Sequence, residues 1–377
     1  MKENKLVALI TNNDDDIYCF RKELIEGLIA AGYRLLISCP YGPKFELMKQ
    51  IPYIYDNPDI DRRGTNVISD GCLLAHYFHL FRKERPAIVL TYTAKPNVYA
   101  SIAARALRIP YINNVTGLGS VLKKKGPMKA FIMELFKVAY RGADCVMFQN
   151  SENMKLAVES GMIRGKHKLI PGSGVDTGRY PIQEYPDGGN GLTGTKVVFN
   201  YMGRILHDKG VDDYIEVAKR IKMKYPNTEF NMLGFMEPTE FHYKKELDDY
   251  TQKGIVYYQG NKNDVKPWIA RAHAIIHPST YGEGMSNVLL ENASSGRPII
   301  TTDNPGCKEV VDDEVSGFIY PGGNIDILEQ TIIRFLHMDN EQRRHMGECG
   351  RCKVKKEFER KIVVDAYLEE IDRIIRG

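Results

Sequence analysis

Short apolar runs alternate with segments of helical period almost from one end of the chain to the other, and few folds satisfy that alternation. Apolar runs bounded by turn residues read as buried strands, and stretches apolar at i, i+3 and i+4 read as amphipathic helices. A strand, helix, strand repeat of this kind builds a parallel sheet covered by helices. Strands are predicted over residues 5–11, 34–39, 87–92, 111–115, 145–149 and 168–170, with helices at 17–31, 68–84 and 96–108. Gly32 stands just past the first helix as a stop signal. The pattern restarts with strands at 197–201, 229–233, 255–259, 274–277 and 298–302. The predicted class is therefore α/β, with two doubly wound parallel sheets. At roughly 150 residues per domain, the 377 residues suffice for two cores.

Residues 180–195 hold Pro181, Pro186, Gly188, Gly189, Gly191 and Gly194, a composition expected of an exposed linker. The predicted layout is a domain over 1–180, a linker over 181–195, a domain over 196–356 and a helix over 357–377. That last segment is apolar at Ile362, Val363, Ala366, Tyr367, Ile371 and Ile374, and would have room to pack across the domain junction.

Composition excludes several classes. With 52 Lys+Arg against 48 Asp+Glu the formal charge is +4, too small to argue for a nucleic-acid partner. Seven scattered cysteines do not suggest a secreted disulfide framework, and a reducing cytosol is the expected compartment. Cys349 and Cys352 form a C-x-x-C with no second pair near them, and are taken as incidental. The apolar run 6–10 leads into Asn12, Asn13 and three aspartates, unlike a signal peptide, and no run is long enough to span a bilayer.

Open α/β sheets take ligands at the carboxyl ends of their strands, so the loops there come first. The loop Thr11-Asn-Asn-Asp-Asp-Asp16 contains no glycine, which argues against a nicotinamide or flavin dehydrogenase. Asp14 and Asp16 match a metal-holding D-x-D, but aspartates at a helix start more often cap it, and capping is preferred. In the second half, Gly203-Arg204 and Lys209-Gly210 share one strand-to-helix loop. A phosphate would suit it: the glycine admits backbone, arginine offers a planar fork, lysine a point charge, and the helix its positive end. The alternative is two solvated cations beside a cap at Asp208 or Asp213.

The run from His277 to Glu291 decides between them. It reads as a strand end, a turn with Gly282 and Gly284, and a helix from near Ser286, with Glu283 in the turn and Glu291 inside the helix. Glu291 suits the vicinal hydroxyls of a ribose; Glu283 suits sugar hydroxyls or a developing positive charge. The amides of Met285, Ser286 and Asn287 would point outward at the helix start. A merely capped helix would leave the two glycines and the turn carboxylate unexplained.

The stretch Glu283-Gly-Met-Ser-Asn-Val-Leu-Leu-Glu291, followed by Gly296-Arg-Pro-Ile-Ile and Asp303-Asn-Pro-Gly306, resembles the E-x7-E region of retaining GT-B glycosyltransferases. Gly203-Arg204 with Lys209-Gly210 is similar to that family's donor-diphosphate loop, and Pro171-Gly-Ser-Gly-Val-Asp176 to the end of its first domain. In the first half, Phe20-Arg21, Thr93-Ala-Lys-Pro-Asn97 and Asn114-Val-Thr-Gly-Leu-Gly119 resemble the subgroup that builds bacterial glycans on undecaprenyl diphosphate, which includes N-acetylgalactosaminyltransferases.

The resemblance implies two Rossmann-like domains facing across a cleft. It implies a UDP-sugar donor, retention of configuration, and a hexose or N-acetylhexosamine, N-acetylgalactosamine favoured, passed to an undecaprenyl-diphosphate-linked saccharide. It assigns catalytic roles to Glu283, Arg204 and Lys209. Donor binding falls to Gly203, Gly234, Gly260, Gly284, Met285, Ser286, Asn287, Val288 and Glu291 as well. Acceptor binding falls to Arg21, Lys95, Thr116, Gly117, Lys123, Lys124 and Lys125, with Arg62 and Arg63 as further cations. Since these cations and amides would stabilise the diphosphate, neither metal nor other cofactor is expected.

Two departures stand out: the first loop is Asn/Asp-rich rather than glycine-rich, and Thr116 stands where many members carry a histidine. No histidine role is therefore carried over. His79, His207, His273 and His277 stay unassigned, with His277 expected near the site.

A lipid-borne acceptor implies a cytoplasmic protein held at the inner face of the cell membrane. Lys123-Lys124-Lys125-Gly-Pro-Met-Lys129 leads into a segment with Phe131, Ile132, Met133, Leu135, Phe136, Val138 and Tyr140, with Lys137 and Arg141 interspersed, which reads either as a basic helix in anionic lipid or as a core helix after a solvated loop. Two rivals remain at this point. A GT-B-type UDP-sugar 2-epimerase would need no acceptor, and a silent partner would bind nucleotide sugar without turnover.

Overall fold

The computed structural model describes residues 5–61, 66–117 and 126–376. Arg62, Arg63, Lys123, Lys124 and Lys125 lie outside them. The chain divides into two compact units, Met1–Gly174 with Arg360–Gly377, and Val175–Glu359.

In the first unit a parallel sheet holds β1 (Leu6–Ile10), β2 (Arg34–Ser38), β3 (Ile54–Asp56), β4 (Ile88–Tyr92), β5 (Tyr111–Val115), β6 (Cys145–Phe148) and β7 (His167–Leu169). Its order is β3-β2-β1-β4-β5-β6-β7, which reverses between β1 and β4, the kind of switch point where α/β sheets take ligands. The intervening helices are α1 (Asp14–Ala30), α2 (Val67–Glu84), α3 (Ala94–Ala106), α4 (Gly126–Tyr140) and α5 (Ser151–Glu159). The central strands are buried throughout, since helices cover both faces of the sheet, and the polar Thr91 and Asn113 inside it are bonded to each other at 2.7 Å.

The second unit has a parallel sheet of β8 (Val197–Met202), β9 (Thr228–Leu233), β10 (Tyr257–Tyr258), β11 (Ala274–His277), β12 (Ile299–Thr302) and β13 (Gly317–Tyr320), in the order β10-β9-β8-β11-β12-β13. Its helices are α6 (Val211–Lys224), α7 (His242–Gln252), α8 (Lys266–Arg271), α9 (Asn287–Ser294), α10 (Ile325–His337) and α11 (Asn340–Glu357). The final helix, α12 (Arg360–Arg376), returns to the first unit. There Val363, Val364, Tyr367 and Ile371 join Ile17, Leu24 and other residues of α1 in one apolar cluster. Arg360 pairs with Glu23 at 2.7 Å, and Asn114 donates to the Tyr367 hydroxyl at 2.6 Å. This helix, which follows the second unit in the chain, belongs to the first.

The structure differs from the predicted layout in further places. The units part at Gly174 and Val175, and residues 181–195 lie inside the second unit. Their carbonyls are held by buried arginines: Arg297 donates to Glu184 at 2.6 Å and Arg343 to Gly189 at 3.0 Å. The glycines serve close packing, since a Cβ on Gly188 would stand 2.3 Å from the His273 ring and one on Gly189 2.0 Å from the Thr193 carbonyl. A composition read as a linker is thus a packed strap.

At α1 the cap is Asn13, whose side chain accepts the Asp16 amide at 2.8 Å. Asp14 instead accepts the Lys44 amide at 2.9 Å, and Asp16 the Thr11 hydroxyl at 2.8 Å. In α4, Phe136, Ala139 and Tyr140 are buried, and Ile132, Met133 and Leu135 pack against the same cluster. That side of the helix is core, leaving Phe131 and Val138 exposed among the described residues of the helix. No helix among the described residues is long and apolar enough to cross a membrane.

Candidate active site

Three adjacent strands of the second unit end in glycines. Gly203 follows β8, Gly234 follows β9, and Gly260 stands two residues beyond β10. The Gly203 amide donates to Leu233 and the Gly234 amide to Gly260, each at 3.0 Å, so the loops stay in register past the strand ends. The approach is tight enough that a Cβ on Gly234 would lie 1.6 Å from the Gly203 carbonyl oxygen.

The loop after β8 carries Arg204 and Lys209 and runs into α6 through Gly210, whose φ of 77° a side chain would strain. A Cβ there would also meet the Pro278 carbonyl at 2.2 Å. The loop after β11 is tied to the first by the Thr280 amide donating to the Asp208 carbonyl at 3.0 Å. Ser286, the N-cap of α9, donates its amide to Gly306 at 2.8 Å, so that amide is already bonded rather than turned outward. Met285 is buried with Met202 and Leu289 and contributes packing rather than an exposed surface.

These loops bring together most of the residues singled out in the sequence. Lys209 and Glu283 form an ion pair. Ser279 donates to the same Glu283 oxygen at 3.3 Å, and His277, buried at the end of β11, places Nε2 at 3.4 Å from it. Burial pushes the Glu283 carboxyl up, but the Lys209 charge and the His277 hydrogen bond outweigh it and hold the group well below the usual carboxylate range. Glu283 is therefore a fixed anion, able to accept hydroxyls or face a positive charge and unable to donate a proton near neutrality.

Two residues escaped the sequence reading. Tyr281 lies between the cations, its ring centroid 5.4 Å from the Arg204 guanidinium carbon and 4.9 Å from Lys209 Nζ. Glu237 pairs with Arg204 at 3.3 Å. Tyr281 stood inside the singled-out run, whereas only the neighbouring of β8 and β9 brings Glu237 close, and spacing carries no trace of that. Glu291 lies in α9 as expected.

His277, Glu283 and Cys307 place potential ligand atoms within 4.8 Å of one another. The set does not fit a metal: burial and then the Glu283 charge push the Cys307 thiol up, away from the thiolate a metal needs, and Lys209 is already paired to Glu283. His273 is a packing residue whose Nδ1 accepts the Val198 amide at 3.0 Å, and His207 is exposed and paired with Asp212.

In the first unit, Arg21 is buried, donates to the Asp16 carbonyl at 3.0 Å and stacks 3.8 Å above the Tyr92 ring. Lys95 is bonded to Asp70 at 2.6 Å, so its charge is already matched. Thr116 and Gly117 follow β5, half-buried. Arg21 and Arg360 line one narrow cavity with Tyr92, Asn114 and Tyr367.

Residues 187–353 match the model for glycosyl transferases group 1, and residues 6–150 that for glycosyl transferase 4-like domains. The chain belongs to the group 1 glycosyltransferases. It is 22% identical, over 98% of its length and 99% of the relative's, to N,N'-diacetylbacillosaminyl-diphospho-undecaprenol alpha-1,3-N-acetylgalactosaminyltransferase of Campylobacter jejuni. It is 24% identical, over 80% of both chains, to the capsular polysaccharide biosynthesis glycosyltransferase CapM of Staphylococcus aureus. Among solved structures, Anabaena HepE in complex with UDP and glucose superposes with a TM-score of 0.76 at 18% identity, over 98% of this chain and 100% of that one. Sucrose-phosphate synthase of Thermosynechococcus elongatus superposes with a TM-score of 0.78 at 18% identity over 98% of each. The shared fold is GT-B, two parallel α/β sheets.

Proposed function

We propose that this glycosyltransferase moves a hexose or N-acetylhexosamine, N-acetylgalactosamine favoured, from a UDP-sugar to an undecaprenyl-diphosphate-linked saccharide, with retention, in bacterial surface polysaccharide or glycoprotein glycan synthesis. The observation that carries the reading is Glu283 held ionised against Lys209, with Arg204 beside the same tyrosine ring. Breaking the anomeric bond leaves an oxocarbenium-like sugar and a diphosphate of growing charge. Arg204 and Lys209 neutralise the diphosphate, and a preorganised contact of that kind is worth on the order of 10²- to 10³-fold in rate. Glu283 accepts hydroxyls of the donor sugar and stabilises its positive charge, and Glu291 holds the ribose. The activities named for the Campylobacter relative and for an Escherichia coli UDP-Gal:alpha-D-GlcNAc-diphosphoundecaprenol alpha-1,3-galactosyltransferase, 25% identical over 72% of both chains, support a lipid-linked acceptor.

The test incubates the protein with single nucleotide sugars and undecaprenyl-diphosphate-linked saccharides, following UDP release and lipid-product mass. Acceptor-dependent UDP release with one donor is expected. Donor isomerisation without acceptor, or donor binding with no turnover on any acceptor, overturns the reading.

A further inference from the structure

We infer that the first unit carries a second anion site, for a phosphate-bearing group, in a cavity lined by Arg105, Glu134, Lys137, Val138, Arg141 and Arg164. The cavity has a volume of about 360 Å³, room for a phosphate and the groups esterified to it. Four cations face one carboxylate, and that carboxylate is occupied by Lys137 at 2.6 Å.

Among the described residues, no carboxylate forms an ion pair with the other three cations. Arg141 donates Nε and Nη2 to the Gly161 carbonyl at 3.0 and 2.8 Å, and Arg105 donates to the Val138 carbonyl at 3.4 Å. A neutral carbonyl orients a guanidinium without cancelling its field, and leaves most of its five donors available. Gly142 assists: a Cβ there would stand 2.9 Å from Arg105 Cδ, so the glycine makes room for the arginine stem. Arg164 is exposed and forms no ion pair among the described residues.

The location separates this site from the transfer reaction. Arg105 and Lys137 lie in the last turns of α3 and α4, Arg141 just past α4, and Arg164 ahead of β7. In a parallel sheet with antiparallel helices, helix ends and strand starts share the edge opposite the carboxyl ends of the strands. Arg21, Thr116 and Gly117 are at or near those carboxyl ends. The cavity therefore serves something other than the acceptor's reacting end. Along α4, Phe131 and Val138 are exposed on the face that also carries Glu134 and Arg141, an apolar border beside the cations. The basic, apolar segment that the sequence left open between a lipid-facing and a core helix already included Lys137 and Arg141; the structure groups those two with Arg105 and Arg164 at the C-terminal end of α4.

The phosphate can come from an anionic lipid headgroup or from a soluble phosphate, and the experiment separates them. The full chain and its Lys137→Glu/Arg164→Glu variant are floated with vesicles of phosphatidylcholine alone and of an equal mixture with phosphatidylglycerol. In parallel, thermal shifts are read in inorganic phosphate against chloride at matched ionic strength. The wild type is expected to float with the mixed vesicles alone, or to be stabilised by phosphate, and the variant to lose that response at least about tenfold. Lys137→Arg/Arg164→Lys restores it. If the charge-reversed chain melts early in chloride, Lys137→Gln/Arg164→Gln replaces it. A wild type with neither response, or a variant that keeps the wild-type response, overturns the site. The readouts involve no sugar transfer, so they stand whether or not the proposed reaction is right.

Discussion

Lys209 and Glu283, 74 residues apart in the chain, meet as an ion pair in which both side chains are nearly nine-tenths covered, at 11% and 13% exposure. A pair so enclosed is costly to halve. Removing the carboxylate alone leaves a buried ammonium without a partner, a loss of about 3–5 kcal/mol in comparable cases. Glu283→Ala is thus expected to lower both transfer and the denaturation midpoint, and Glu283→Ala/Lys209→Met to lose less stability than the two single changes added together. Strict additivity in a denaturant titration would contradict the pairing.

Arg204 should behave differently. Its side chain is 39% exposed and its ion pair with Glu237 is long at 3.3 Å. Arg204→Ala is expected to leave stability within about 0.5 kcal/mol of wild type and to lower turnover by on the order of 10²-fold or more. Near-normal turnover of nucleotide sugar would remove Arg204 from the diphosphate site.

The rung between Gly203 and Gly234 has no room for a methyl group. Gly234→Ala should force the two strand-end loops apart at a cost of about 1–3 kcal/mol, raising the donor KM as well as lowering the melting temperature. A variant that melts earlier but binds donor normally would show that these loops do not form the donor pocket.

Transfer should proceed in excess EDTA. The protonated Cys307 thiol and the Lys209-bound Glu283 offer a divalent ion a poor set of ligands. An activity that vanishes on chelation and returns with Mg²⁺ or Mn²⁺ would return attention to Asp14 and Asp16.

Acid should destabilise the second unit through His273. Burial holds its pKa at about 4 against an ordinary 6.5, and its Nδ1 accepts the Val198 amide. Between those values the unfolded chain binds a proton that the folded chain refuses, so stability falls as pH drops from 6.5 towards 4, by up to about 3 kcal/mol. His273→Gln should flatten that slope in denaturant titrations across the interval. An unchanged slope would assign the acid sensitivity to other groups.

Much of the fold was legible because its strands are buried on both faces. Ala274–His277 stood out as an apolar run and is the observed strand, and Tyr111–Val115 is observed at the bounds read for it although the buried Asn113 and Asn114 interrupt its apolar residues. Ile54–Asp56 was missed because it is a partly exposed edge strand of only three residues. Gly317–Tyr320 begins with a glycine, a weak strand former that the site needs because a Cβ would stand 2.1 Å from the Ile299 carbonyl. Glycines 188 and 189 misled for a related reason: tight packing and chain flexibility favour the same residue, and only tertiary contacts distinguish them. At the site, residue types and spacing pointed to Arg204, Lys209 and Glu283, because two cations on one strand-to-helix loop and a carboxylate between two glycines suit a phosphate and a sugar. Their mutual pairing, and the part of Glu237, depend on strand order.

The return of α12 to α1 gives the two units different folding schedules. Val175–Glu359 is one continuous stretch and can complete its core without α12. The first unit cannot: its α1 face stays uncovered until Val363, Tyr367 and Ile371 arrive, although its sheet strands were synthesised first. During that interval the earlier half of the molecule presents an open apolar surface, the kind of exposure that favours association between unfinished chains.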